Sequence, residues 1–585
     1  MAVTRSVRKQ TLVSRRELWK RKAMDTPNGK HHPQCEGANV RLEIRLERRP
    51  QTPWLSAFRI VRRIILTADS GGQPAFFRYR GRLQQRLGKI IKLVQVLALA
   101  TIIHRQDRAQ EATYEHLCER ARALAASPYR PPTNTVPEGL RKLSYTQHSA
   151  IRFRSEKALW HAQDLPFQVE FFHPGYIQQD LVTIREADGK EVRTIPFSTE
   201  LFSYESVPEG LDRLAGFAGY RIVDRRNRFG EVASFLGASY FRMIGRGQTF
   251  GSSARGLALN TSKLGTEEFP VFREFELRRP SAADTRMDIL ALMDSPSVTG
   301  AFEFVISAGV TTVAGVNATF FPRSEVKEFG IAPLTSMFLH DQNSHPAYQD
   351  FRPEVHDADG LLLQTGAGQW LWRPLEKGRM MRINAFGDEN PKGFGLLQRD
   401  REFEHYQDLV ARFELRPSVW VRPRGNWGRG AVELIQLPSH LEFTDNVVAF
   451  WVPERAPKPG EALAVAYDLE WCTNQVVPET LGRVRSTSVG DVVVEPPKEH
   501  PNLRFVVEFE GNNLPRLDSE ERLRPEIVCG QGTELVNEAL IRNNLSNTWR
   551  LVIEITRPTV AVDLRARLKF REQPITETWV TTWQP

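Results

Sequence analysis

Two short stretches hold ionisable residues whose types and setting suit bond cleavage. Phe351-Arg-Pro-Glu-Val-His-Asp-Ala-Asp-Gly360 places an Arg, a His and three carboxylates beside a Pro and a Gly, and Phe443-Thr-Asp-Asn-Val447 sets Asp445 at the head of the apolar run ending at Trp451. Glycoside cleavage needs one carboxyl group to protonate the leaving oxygen and a second to activate water or attack carbon. Asp357 and Asp445, 88 residues apart, each stand where a loop meets a strand-like run. Asp residues often cap turns before strands, so position alone does not select these two from 70 acidic residues.

The interval between them is dense in Trp and Arg. Trp370, Trp372, Trp420, Trp427 and Trp451 lie among Arg373, Arg399, Arg401, Arg416 and Arg424. Indole faces stack on the C–H faces of pyranose rings, and guanidinium groups hydrogen-bond paired hydroxyls, so this composition suits a groove for an uncharged sugar polymer. Any one of these tryptophans, taken alone, reads more readily as core, and it is their density as a group that points to a groove.

Other chemistries lack support. Gly245-Arg-Gly-Gln-Thr-Phe-Gly251 has no following Gly-Lys-Ser/Thr and reads as a turn rather than a phosphate loop. His340, His345 and His356 form no HExxH pattern, and no GxSxG is present. Cys35, Cys118, Cys472 and Cys529 show neither CxxC spacing nor a disulfide framework. No metal and no cofactor are expected.

The elements that must position these residues follow from the charge and hydrophobic pattern. Residues 1–110 hold 24 Lys and Arg against 7 Asp and Glu, a local +17 that leaves −8 for the remainder of a chain of net charge +9. The body is therefore acidic, which argues against a nucleic-acid partner. The basic segment contains an export-like Ser14-Arg15-Arg16-Glu17-Leu18-Trp19-Lys20. It also contains the apolar run Leu93 to Ile103 behind Arg82, Arg86, Lys89 and Lys92. That run has signal-peptide length, with cleavage near Ala109, or is a buried helix; it is too short for a comfortable span, so no stable membrane insertion of the mature chain is expected.

Residues 112–126 predict a short helix with Leu117, Ala121 and Leu124 on one face. From about Ser144 the chain becomes a succession of short alternating or aromatic runs such as Phe302-Glu-Phe-Val-Ile306, broken by Gly, Pro, Asn and Asp, as in antiparallel β-proteins. The polar stretch 474–484 reads as a linker. Beyond it Phe505, Val507 and Phe509, then Trp549, Leu551, Ile553 and Ile555, then Val562, Leu564, Ala566, Leu568 and Phe570 alternate with polar or outward residues, predicting a small β-sandwich. The expected organisation is a basic extension over 1–110, a large all-β domain over 111–474 and a small one over 485–585.

Several motifs in order carry a resemblance. They are Tyr240-Phe-Arg-Met-Ile-Gly-Arg-Gly-Gln-Thr-Phe-Gly-Ser-Ser-Ala-Arg-Gly256, Ala332-Pro-Leu-Thr-Ser-Met-Phe338, Arg352-Pro-Glu-Val-His-Asp357, Trp372-Arg-Pro374, Asn390-Pro-Lys-Gly-Phe-Gly-Leu-Leu-Gln-Arg399 and Asp445-Asn-Val-Val-Ala-Phe-Trp451. Together they resemble the periplasmic osmoregulated glucan biosynthesis protein G and D family, from about residue 112 onward. The resemblance implies a large galactose-mutarotase-like β-sandwich followed by a smaller immunoglobulin-like one, a periplasmic location and work on β-1,2-linked glucan.

Its D type, slightly favoured by Arg15-Arg16, implies an inverting endo-β-1,2-glucanase with Asp445 as general acid and Asp357 as general base. Arg352, Glu354, His356, Trp370, Trp372, Arg373, Arg399, Arg416, Trp420 and Trp427 are the expected sugar-binding residues. An inverting pair implies carboxyl groups about 6.5–9.5 Å apart and a raised pKa for the acid. The alternatives are a G-type transglycosylase and a non-catalytic glucan scaffold serving an inner-membrane glucan synthase.

Overall fold

The computed structural model describes residues 113–585, apart from 133–135, 190, 206, 209, 211, 214, 227–229, 263–266, 345–348, 474–475, 497–498, 512–513 and 515–522. Both export-like stretches, the basic extension, Cys35 and His345 lie outside the described residues. Among those residues no helix is long and apolar enough to cross a membrane.

The predicted helix runs Tyr114–Ala125, capped by Thr113, whose hydroxyl accepts from the His116 N–H at 3.1 Å. Its apolar stripe, Leu117 and Ala121, closes over Leu290, Leu292, Ala301 and Phe321 on the outer face of a sheet, with Leu124 packed beside them. The remainder of the fold is strands.

Two sheets face one another in the large sandwich. One has ten strands, its main path running from Phe167–Phe172 through Gly219–Asp224, Gly230–Leu236, Tyr240–Met243, Ser253–Arg255, Phe329–Ser336, Val447–Pro453 and Arg429–Gln436 to Arg382–Glu389. The other has fifteen and includes Val298–Ser307, Thr312–Pro322 and Leu463–Cys472. Period-two alternation turns Phe302, Phe304 and Ile306 inward while Glu303 stays outside. Across the sheets Phe235 meets Phe304 edge to face at 5.3 Å, within a Phe-rich core.

The C-terminal strands alternate as their sequence predicts. Arg483–Asp491, Leu503–Glu510, Thr548–Ile555 and Leu535–Asn543 form a four-stranded sheet. Its inward Val507, Phe509, Leu551 and Ile553 pack with Leu564, Ala566, Leu568 and Trp579 from Val562–Phe570 and Thr578–Trp583.

These latter strands are not a separate sheet. Thr578–Trp583 pairs in parallel with Trp370–Pro374, matching Trp372 to Trp579, so the fifteen-stranded sheet runs continuously from the large sandwich into the small one. Trp372 and Trp420, from the large sandwich, are buried in the core of the small one.

Candidate active site

The strand Phe329–Ser336 pairs with Val447–Pro453, placing Ser336 opposite Val447. At Met337 the chain leaves that sheet, and Phe338–His340 pairs instead with Val355–His356. Asn446 secures the departure: its N–H donates to the Ser336 carbonyl at 3.0 Å, and its side chain accepts from Phe338 N–H at 2.8 Å and donates to the Phe338 carbonyl at 2.9 Å. One residue along, the Asp357 N–H donates to the Met337 carbonyl at 2.8 Å. The segments bearing Asp445 and Asp357 are thus mounted on adjacent residues of one segment, which brings together two acids far apart in sequence.

The two acids sit in different surroundings. Asp357 is buried and ion-paired with Arg416. Burial pushes its carboxyl up to about 6 against the Arg416 guanidinium, and the negative Asp445 adds to the rise. Asp445 presents surface to solvent. Desolvation raises its carboxyl too, opposed by the Thr335 hydroxyl and the guanidinium groups of Arg255, Arg242 and Arg416.

Three arginines therefore surround two carboxylates. Arg242 and Arg255 come from the paired strands Tyr240–Met243 and Ser253–Arg255. Arg255 is buried and bonded to Glu267 at 2.9 Å, with its guanidinium 4.8 Å from the Tyr240 ring centre. Arg242 lies 4.2 Å over Phe250 and reaches Ser234 through Nε at 3.4 Å. Desolvation lowers its pKa against the pull of Glu231, Asp445 and Asp357. Arg242, Arg255 and Tyr240 were absent from the expected binding residues, although the motif 240–256 contains all three.

The turn 245–251 has a packing role here. Gln248 closes it by accepting from Gly245 N–H at 2.6 Å, and the Thr249 N–H donates to the Leu415 carbonyl. A Cβ on Gly251 would stand 2.9 Å from the Cβ of Arg416, so glycine permits the close approach that aims Arg416 at Asp357.

Behind Asp357 lies a buried polar network. His356 Nε2 meets Glu354 at 2.9 Å and Nδ1 meets the Gln398 carbonyl oxygen at 2.8 Å. Burial opposes charge on His356, but the hydrogen bond and charge of Glu354, with Asp359, push it up to about 9. The Gln398 amide donates to the His356 carbonyl and Tyr406 Oη, and the Phe413 carbonyl lies 3.3 Å from the same nitrogen. One amide thereby ties the strand leading to Asp357 to the segment leading to Arg416.

Of the expected sugar-binding residues, the structure brings Arg416 to the acids and places Glu354 and His356 in the layer behind. Arg352 is engaged by three carboxylates, Asp350 at 2.8 Å, Asp408 at 3.0 Å and Glu442 at 2.6 Å. Trp370 stacks on Trp420 at 5.8 Å, and Trp372 lies under the Arg399 guanidinium at 3.5 Å. Arg399 pairs with Glu577 at 2.6 Å across the junction of the sandwiches, and buried Arg373 pairs with Glu376 at 2.9 Å. Trp427 packs near Trp451 and Tyr467. Two cavities, about 640 and 460 Å³, lie at the junction and share Gln342, Asp400, Arg485 and Ser486; neither is lined by Asp357 or Asp445. Glu354, Asp400 and His405 have metal-compatible spacing, but Glu354 bonds His356 and Asp400 bonds His405 at 2.6 Å.

Comparison with known proteins agrees with the motifs. Residues 113–583 match the family described as periplasmic glucan biosynthesis protein, MdoG. A glucans biosynthesis protein G of Sodalis glossinidius is 40% identical over 481 residues, covering 80% of this chain and 92% of that protein. A protein of the same name from Rhodopseudomonas palustris is 40% identical over 485 residues, covering 82% and 95%. A probable glucans biosynthesis protein D of Shewanella oneidensis is 38% identical over 520 residues, covering 86% and 96%. This chain belongs to the MdoG family of periplasmic glucan biosynthesis proteins.

Proposed function

We propose that the protein is an anomer-inverting endo-β-1,2-glucanase that trims the linear backbone of osmoregulated glucans in the periplasm. The observation that carries this reading is the mounting of Asn446, next to Asp445, and of Asp357 on the adjacent residues Ser336 and Met337, with Asp445 open to solvent and Asp357 buried. An acid that protonates a glycosidic oxygen must touch substrate, which suits Asp445. A base that activates water needs no such contact, which suits Asp357, working through water from behind Arg416. Bound sugar would displace water from Asp445 and favour its protonated form further.

A second reading has its own observation. Asp357 is only 5% exposed and ion-paired, as a purely structural carboxylate would be. On that reading the chain binds glucan without cutting it and guides it to a membrane-bound synthase.

Product formation from linear β-1,2-glucan separates the two. The wild-type chain is expected to release short oligosaccharides whose new ends are first α by NMR. Asp445→Asn and Asp357→Asn should each lose about 10²–10⁴-fold in rate while still binding glucan. Binding without products from the wild type would reject the hydrolase and leave the scaffold.

A further inference from the structure

The Arg352 cluster does more than neutralise charge. Its three carboxylates come from three separate loops, and the neighbours of those carboxylates in sequence are large apolar residues facing solvent. Phe351, beside Asp350, is 73% exposed; Leu409 and Val410, after Asp408, are 79% and 94% exposed; Phe443, after Glu442, is 84% exposed. Scattered apolar side chains on a surface are ordinary, but several held together by one guanidinium are a built feature. The clamp is largely shielded, Arg352 and Asp350 showing only 10% and 4% of their side chains. Arg352 also holds the Asp350 carboxyl below the usual carboxylate range.

The clamp adjoins the acids. The buried Phe413 ring lies 6.0 Å from the Arg352 guanidinium on one side and 4.0 Å from that of Arg416 on the other. Arg416 holds Asp357, and Phe443 is two residues before Asp445. One aromatic ring thus separates the clamp from the guanidinium that holds the buried acid, and the Phe351 ring lies 6.0 Å from the Arg352 guanidinium itself.

We propose that Phe351 and Phe443, held in place by the Arg352 clamp, form an aromatic platform that receives a pyranose ring of the glucan beyond the bond being cut. This rests on the glucan reading above and adds where the chain is gripped. Phenyl faces offer the C–H faces of a β-linked glucose unit an apolar contact without charge. One arginine among three carboxylates leaves the clamp negative, which disfavours anionic occupants such as phospholipid headgroups. The expected tryptophans are mostly packed inside; Tyr240 and Phe250 near the acids are half-buried under Arg255 and Arg242, which leaves Phe351 and Phe443 as the more exposed rings.

The test compares the full chain with Phe351→Ala, Phe443→Ala and the double variant on long linear β-1,2-glucan and on the shortest oligosaccharide that is cut. Leu545→Ala, fully exposed on the small sandwich, sets the baseline. Each single variant is expected to raise KM on the long glucan about three- to tenfold, the double variant more, with the change in KM rather than kcat. The shortest substrate should change less, Tm should hold, and Phe→Trp should restore affinity. An unchanged KM in a folded double variant overturns the platform and leaves the hydrolase intact. If the wild type binds but does not cut, the hydrolase fails and the platform is judged by the same fold-changes in Kd; if it does not bind this glucan, both fall.

Discussion

The acid site and the junction between the sandwiches are made from the same residue types, and they differ in what those residues have left to bind. At the junction Arg399 lies on Trp372 and reaches both oxygens of Glu577, Arg483 bonds Glu510, and Trp372 and Trp420 are enclosed. At the acid site Arg242 contacts Phe250 and Ser234, its terminal nitrogens make no hydrogen bond among the described residues, and Phe351 and Phe443 face water. Arg and aromatic residues thus serve cohesion where they are mutually satisfied, and where they are not they keep donors and rings open to a ligand.

Three substitutions sharpen that contrast. The largest effect is expected at the junction, where Glu577→Gln removes the charge opposite nearly buried Arg399. Losing one partner of a buried pair costs about 3–5 kcal/mol, so the denaturation midpoint should fall steeply while KM for glucan holds. A matching rise in KM would mean that the junction also binds substrate.

At the acid site a substitution is expected to stabilise. The Asp357 carboxyl is raised to about 6 in the folded protein, so its ionised form opposes folding. The folded state binds the proton more tightly, and the cost is present above about pH 6 and gone below about pH 4, the usual carboxylate value. Asp357→Asn, with Arg416 still facing the charge of Asp445, should therefore be more stable than wild type by up to about 3 kcal/mol at pH 7, the two converging below pH 4 in urea titrations. His356 has the opposite sign: its raised pKa, about 9, adds stability below about pH 6.5 that fades as pH rises through 9.

The smallest effect is expected at Arg242. Arg242→Met removes a charge-assisted donor worth about 1.5–3 kcal/mol to a bound hydroxyl or developing charge. That corresponds to a loss of about ten- to a hundredfold in kcat/KM with Tm nearly constant, measured beside Glu577→Gln.

Much of this was legible beforehand. The stripe of Leu117, Ala121 and Leu124 announces the first helix, and the alternation through Val562 and Phe570 announces a C-terminal strand buried on one face. The choice of Asp357 and Asp445 came only from the resemblance of the motifs around them, because any Asp before a strand looks alike. Arg242 lay unnoticed inside one of those motifs, where its distance along the chain from Asp357 gave no hint that they meet.

The density of Trp was legible as composition, but its location was not. A Cβ on Gly360 would fall 2.2 Å from the Trp372 ring, and one on Gly393 would fall 2.1 Å from Trp420, so each indole lies flat over a glycine of a neighbouring strand. Knowing which glycine faces which tryptophan requires the strand register.

From its residues alone this chain determined the all-β alternation, the acidic body and the chemical types at the cleft, since these depend on local periodicity and composition. Only the tertiary structure decided that Ser336 and Met337 gather two distant acids, that one sheet joins both sandwiches, and which aromatic rings stay in water. The reason is physical: strand pairing and burial depend on what a distant segment places opposite a residue, and that partner is not encoded in the residue's own neighbourhood.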